Sequence, residues 1–174
     1  MKVITLALAL LPLSLTTPLA AQETPPAASA YEADTRTLDS TVRALYAGIS
    51  GPPGARDWKR FLHLFHPAAR MAAIRTQGGA VSFSPTEYIE RNRKAMEERG
   101  FYEEETERKV ETEGSLSVVW SGFAIRGKAD GAAGGRPVLA RGHNSLQVYY
   151  DGTRWWILHL VWANAPAPPK AVRE

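Results

Sequence analysis

Apolar residues at Leu38, Val42, Leu45, Tyr46 and Ile49 recur at helical spacing and predict a first amphipathic helix. SGPPG at 50–54 breaks it. Trp58, Phe61, Leu62 and Phe65 continue the helical spacing as a short second helix, which His66-Pro67 stops. MAAI (71–74) and AVSF (80–83) flank Gly78-Gly79 and predict a short hairpin. SPTE at 84–87 is a helix start, with Ser84 as N-cap, Pro85 in the first turn and Glu87 closing a capping box. That third helix runs to about Arg99, pairs Glu90 with Lys94 one turn on, and ends at Gly100. From Phe101 onward the pattern is that of strands at 102–113, 115–126, 137–150 and 154–163, separated by turns at Glu113-Gly114, 127–136 and Asp151-Gly152. Helices grouped ahead of consecutive strands predict an α+β domain, with three N-terminal helices packed on one side of an antiparallel sheet.

The last hairpin, ARGHNSLQVYYDGTRWWILHLVW (140–162), mixes polar and large apolar residues on both faces. A two-residue turn at Asp151-Gly152 pairs Asn144 with His159 and Gln147 with Trp156. A one-residue bulge at Gly152 pairs His143 with His159 and Gln147 with Trp155 instead. Hydrophobic sorting favours the bulge. Arg141, His143, Ser145 and Gln147 then share a face with Trp155, Ile157, His159 and Val161. The other face carries Leu146, Val148, Trp156, Leu158, Leu160 and Trp162, a surface for helix packing or for a homodimer.

Lys2, the uncharged run from Val3 to Leu13 and the closing Ala20-Ala21 form the pattern of a secretory signal peptide over residues 1–21. Export to a bacterial periplasm or beyond is the expectation, with no stable membrane anchor after cleavage. QETPPAASA opens a disordered leader at 22–34, and APAPPK falls in a flexible tail at 165–174, which leaves 35–164 as the folded domain. The chain has no cysteine, so disulfides and thiol nucleophiles are excluded. Its 21 basic residues, Lys2 among them, barely outnumber 18 acidic ones and are scattered, which argues against nucleic acid as a partner.

The order of elements resembles the nuclear transport factor 2-like superfamily (SnoaL-like, cystatin-like). Three blocks look like a secreted bacterial branch of it: ALYAGISGPPGARDWKRFLHLFHPAAR, EYIERNRKAMEERGFYEEETERKVETEG and ARGHNSLQVYYDGTRWWILHLVW. RGxNSxQ followed by DGxRWWI is the most specific part. The resemblance implies a strongly curved sheet wrapped around a helix to make a cone-shaped pocket. The superfamily includes isomerases, dehydratases, epoxide hydrolases, polyketide cyclases and non-catalytic pocket proteins, so it implies no single reaction.

Its proton-abstracting members generally use a pocket carboxylate. Here no acid lies between Pro67 and Ser84, and between Gly114 and Tyr150 there is only Asp130, in the loop ADGAAGG. Alternation with Arg108 and Lys109 makes the Glu103–Glu113 run a solvated sheet edge. No pocket carboxylate is therefore expected. His63 and His66 lack a third metal ligand, and His66, ahead of Pro67, is expected to bond to backbone. No metal, nucleophile, Walker-type or dinucleotide motif occurs, so no cofactor is expected.

Trp58 is assigned to the core, and Trp120 either to the core or to the cone. The candidate ligand-binding residues are Trp120, Arg141, His143, Asn144, Gln147, Trp155 and His159. The leading expectation is an exported pocket protein that binds a small, partly apolar or aromatic molecule without catalysis. One alternative is a cofactor-independent lyase or isomerase with His143 or His159 as acid–base group and Asn144 or Gln147 polarising a carbonyl. Another is an interaction module whose cone is filled by side chains.

Overall fold

The computed structural model describes residues 28–129 and 135–165. The expected signal peptide, Asp130 and the tail beyond Ala165 lie outside the described residues.

A short helix, α1 (Ala28–Thr35), occupies ground assigned above to a disordered leader reaching residue 34. It lacks an apolar stripe and is held by polar bonds instead. Tyr31 donates its hydroxyl to Asp57 at 3.0 Å, and the Asp34 carboxylate accepts two N–H groups of Arg60 at 2.5 and 2.7 Å. α2 (Leu38–Ile49) starts at a Thr37 cap and buries the predicted stripe of Val42, Leu45, Tyr46 and Ile49. α3 (Trp58–His63) stops earlier than periodicity suggests, and Phe65 begins β1 (Phe65–Ile74). β1 takes in His66-Pro67 because its ladder is broken between Phe65 and Arg70, so no pairing bond needs the missing Pro67 N–H.

β2 (Ala80–Phe83) completes the first hairpin. α4 (Pro85–Arg99) follows, with the predicted capping box: Glu87 N–H donates to Ser84 Oγ at 3.2 Å, and Ser84 N–H donates to Glu87 at 2.6 Å. Its one-turn ion pairs are Arg93–Glu97 and Lys94–Glu98, one step on from the pair predicted. Gly100 ends it with φ 73°, in the region glycine tolerates best.

β3 (Tyr102–Glu113), β4 (Leu116–Arg126), β5 (Val138–Tyr150) and β6 (Trp155–Asn164) form the predicted antiparallel meander. The sheet order is β2-β1-β6-β5-β4-β3, with a parallel junction between β1 and β6. The result is an α+β fold with helices on the concave side of a curved, unclosed sheet. Phe61, Met71, Val119, Phe123, Leu146 and Ile157 are fully buried between the layers.

Both hairpin registers proposed above are wrong. Tyr150 faces Trp155 across a four-residue loop, Gln147 faces His159, and the bulge lies deeper, between Gln147 and Val148. Asp151 sets the loop: its carboxylate accepts from Thr153 N–H at 2.8 Å, Arg154 N–H at 2.9 Å and the Trp156 indole at 2.6 Å. Those bonds hold the carboxyl well below the usual range, the Trp156 bond most strongly. An Asp side chain that mimics a turn has displaced the tight Asp-Gly turn.

Candidate functional site

Between the concave face of the sheet and α2 and α4 lies a cavity of about 430 Å³. α4 contributes Tyr88, Asn92, Ala95, Met96 and Arg99, one helical face produced by steps of three and four residues. The sheet contributes Glu103 from β3, Phe123 and Ile125 from β4, Asn144 from β5, and Leu160, Trp162 and Asn164 from β6. Arg99 and Asn164 are exposed and mark the rim. Most of the wall is hydrocarbon or aromatic ring with a few polar groups among them, the usual make-up of a small-molecule site. The space is not filled by side chains.

The register sorts the candidate residues by face. Asn144 lines the cavity. His143, Gln147 and His159 do not: the pairing of Gln147 with His159 turns them, with Arg141, to the convex side. There the Trp120 ring stacks on His143 at 5.2 Å, His143 Nε2 lies 3.1 Å from Glu107, and His159 Nδ1 lies 2.9 Å from Gln147. Trp120 neither fills the core nor lines the cone; it is 48% exposed. Trp155 is half-buried beside Tyr150, outside the cavity lining. Trp58 is buried as expected and donates its indole N–H to Glu97 at 2.8 Å. His66 accepts from the Ala68 N–H at 3.2 Å, the backbone role assigned to it. His63 packs against the Arg154 guanidinium; burial, and then that charge, lower its pKa.

The expected absence of a pocket carboxylate is overturned by Glu103. β3 is indeed an edge strand, but Glu103 lies opposite Ile125 at its inner end and turns into the cavity. Burial pushes its carboxyl up to about 7, and the Asn144 amide partly opposes the shift. No cation is within ion-pair distance of it among the described residues. Tyr88 is also pushed up, by burial first and by the charge of Glu103 second.

A hydrogen-bond chain orients the other end of the polar wall. The Glu105 carboxylate is gripped by Arg108, with Nε at 2.8 Å and Nη2 at 2.5 Å, and Arg108 also binds Asp39 at 2.9 Å. A carboxylate so engaged only accepts, so the single Ser121 hydroxyl proton goes to Glu105 at 2.6 Å. Tyr46 must then donate to Ser121 at 2.7 Å, and its oxygen is left to accept from Asn144 Nδ2 at 3.0 Å. The Asn144 amide is thereby fixed, with Nδ2 toward Tyr46. Asn92 is fixed too, because its Nδ2 donates to the Tyr88 carbonyl at 2.8 Å.

Fold and cavity together define the class: a cystatin-like cone with an open pocket. No protein-family model matches the chain, and no curated protein matches it in sequence. Solved structures match it in shape. A cystatin-like-fold protein of unknown function from Nostoc punctiforme is 11% identical, with TM-score 0.56 over 76% of this chain and 91% of that one. A candidate dehydratase of the NTF2-like family from Streptomyces avermitilis is 14% identical, with TM-score 0.54 over 77% and 97%. The association domain of C. elegans CaMKII is 14% identical, with TM-score 0.50 over 72% and 91%. The chain thus has the nuclear transport factor 2-like fold, and the likeness is one of fold.

Proposed function

We propose that this protein binds a small, partly apolar or aromatic molecule in its cone. The observation that carries the reading is the cavity of about 430 Å³, apolar over most of its wall and left open although the surrounding core is close-packed. Unfilled apolar space forfeits contacts, so a fold that keeps it gains stability when a ligand enters. Thermal-shift screening of small aromatic compounds should find ligands that raise Tm. Ala95→Phe, which puts a ring into the cavity from α4, should fold and lose those shifts. Unchanged shifts in Ala95→Phe would place binding elsewhere and sink the proposal.

A second reading is supported by Glu103, which takes over the role first given to His143 and His159. A carboxyl at about 7 suits general acid–base work near neutral pH. Glu103 would remove a proton from carbon beside a substrate carbonyl and deliver it to another carbon, an isomerisation, or to a departing hydroxyl, a dehydration. Turnover that Glu103→Gln abolishes with the fold intact would establish the enzyme. We further propose that two copies associate through the convex sheet face.

A further inference from the structure

We propose that the ligand of the cavity is an organic cation, a primary or secondary amine on an apolar or aromatic body, whose ammonium group sits against the Glu103 carboxylate. The inference rests on the pocket reading above and adds the chemistry of the ligand.

Beside the Tyr88 hydroxyl and the rim groups Arg99 and Asn164, the cavity is lined by three groups with acceptor oxygens free to meet a ligand, Asn92, Asn144 and Glu103. Asn92 and Asn144 both turn their Nδ2 groups to the protein, and no donor reaches either Oδ1 among the described residues. No sealed side-chain polar atom lacks a partner among those residues, so the uncommitted Oδ1 of the buried Asn144 reaches open space, and the cavity is the space it lines. Glu103 is a third acceptor, on the sheet side with Asn144. Glu103 is half-buried, a carboxylate withdrawn from water without a cation is costly, and an ammonium supplies the missing partner. The rings of Phe61, Tyr88, Phe101, Phe123 and Trp162 line the same space, and aromatic rings attract a cation as well as hydrocarbon. Arg99, the cation of the lining, is exposed at the rim.

The groups around Glu103 are Tyr46 of α2, Ser50 just after α2 (which accepts from the Glu103 backbone N–H), Tyr88 of α4, Ile125 of β4 and Asn144 of β5, with Arg99 of α4 on the rim of the same cavity. Both tyrosines are pushed upward, away from neutrality. Glu103 is therefore the group of this set that changes charge between about pH 6 and pH 8. An amine needs the carboxylate and should bind about tenfold more tightly at pH 8 than at pH 6, before the amine itself titrates. A ligand that presents a carbonyl needs the neutral acid and should show the reverse trend.

Calorimetry on the whole protein with phenethylamine, phenethyl alcohol and 3-phenylpropionate at the two pH values tests this. The amine should bind best and gain with pH, and Glu103→Gln should erase its advantage while the alcohol still binds. Alcohol or propionate binding as tightly as the amine at pH 8 would overturn the cation proposal and leave the pocket reading intact. Amine binding that Glu103→Gln leaves unchanged would overturn it too. If none of the three binds, the pocket reading falls with it.

Discussion

At the scale of residues, Glu103 gives the sharpest expectation. Its folded-state pKa of about 7 lies above the ordinary 4.5, so the folded chain holds this proton more tightly than the unfolded chain does. The resulting stabilisation is complete below pH 4.5 and is lost as pH rises through about 7. Glu103→Gln should therefore be nearly neutral in urea denaturation at pH 5 and stabilising by about 1–3 kcal/mol at pH 8. Equal effects at the two values would mean that the carboxyl is better solvated than its surroundings suggest. Tyr46→Phe removes the hydroxyl that both Ser121 and Asn144 use and leaves buried groups unpaired, which should cost about 1–3 kcal/mol. Neither role could be read from the sequence. Glu103 opens a run of alternating charges whose exposed members really do line an edge, and only the inward turn at the inner end of β3 separates it from them. Tyr46 fits the apolar stripe of α2, and its partners lie 75 and 98 residues away.

At the scale of elements, start signals were legible and register was not. The Ser84–Glu87 capping box needs only residues three apart, and it formed as predicted. Because α4 supplies one wall of the cavity, Ser84→Ala should lower stability by about 1 kcal/mol and weaken ligand-induced thermal shifts in proportion to the fraying of the helix start. The final hairpin failed for a local reason, since Asp151-Gly152 satisfies the rule for a tight turn while Thr153 and Arg154 offer Asp151 a wider one. A shift of that kind sends whole sets of side chains to the opposite face. Hence six of the seven candidate residues lie outside the cavity, and Asn144 lies within it. The register also explains Gly142. A Cβ there would sit 2.3 Å from the Ala163 carbonyl oxygen and 2.4 Å from the Phe123 ring. Gly142→Ala should destabilise by about 2–3 kcal/mol or more, read as a lower urea midpoint, through forced separation of β5 and β6.

At the scale of the whole molecule, the fold was legible because it follows from order alone: helices first, then a meander that can curl over them. What order cannot give is the use of the two sheet faces. The concave face meets the helices and the cavity. The convex face carries Leu116, Val118 and Trp120 of β4, exposed at 47, 40 and 48%, beside Tyr149 of β5 and Trp156 of β6. Helices cover one side of the sheet, so a second copy is the natural cover for the other, and twofold pairing is the commonest way for a surface to cover itself. Two polar pairs there, His143 with Glu107 and His159 with Gln147, are already made within the chain and can be buried without leaving open valences. Light scattering of the domain at tens of micromolar should give about twice the protomer mass. Trp120→Glu should return it to a monomer with little loss of intrinsic stability, because the indole is already half exposed and a charge at the centre of a twofold contact meets its own copy. A wild-type monomer, or a Trp120→Glu variant that remains dimeric, would remove the convex face from consideration as the contact.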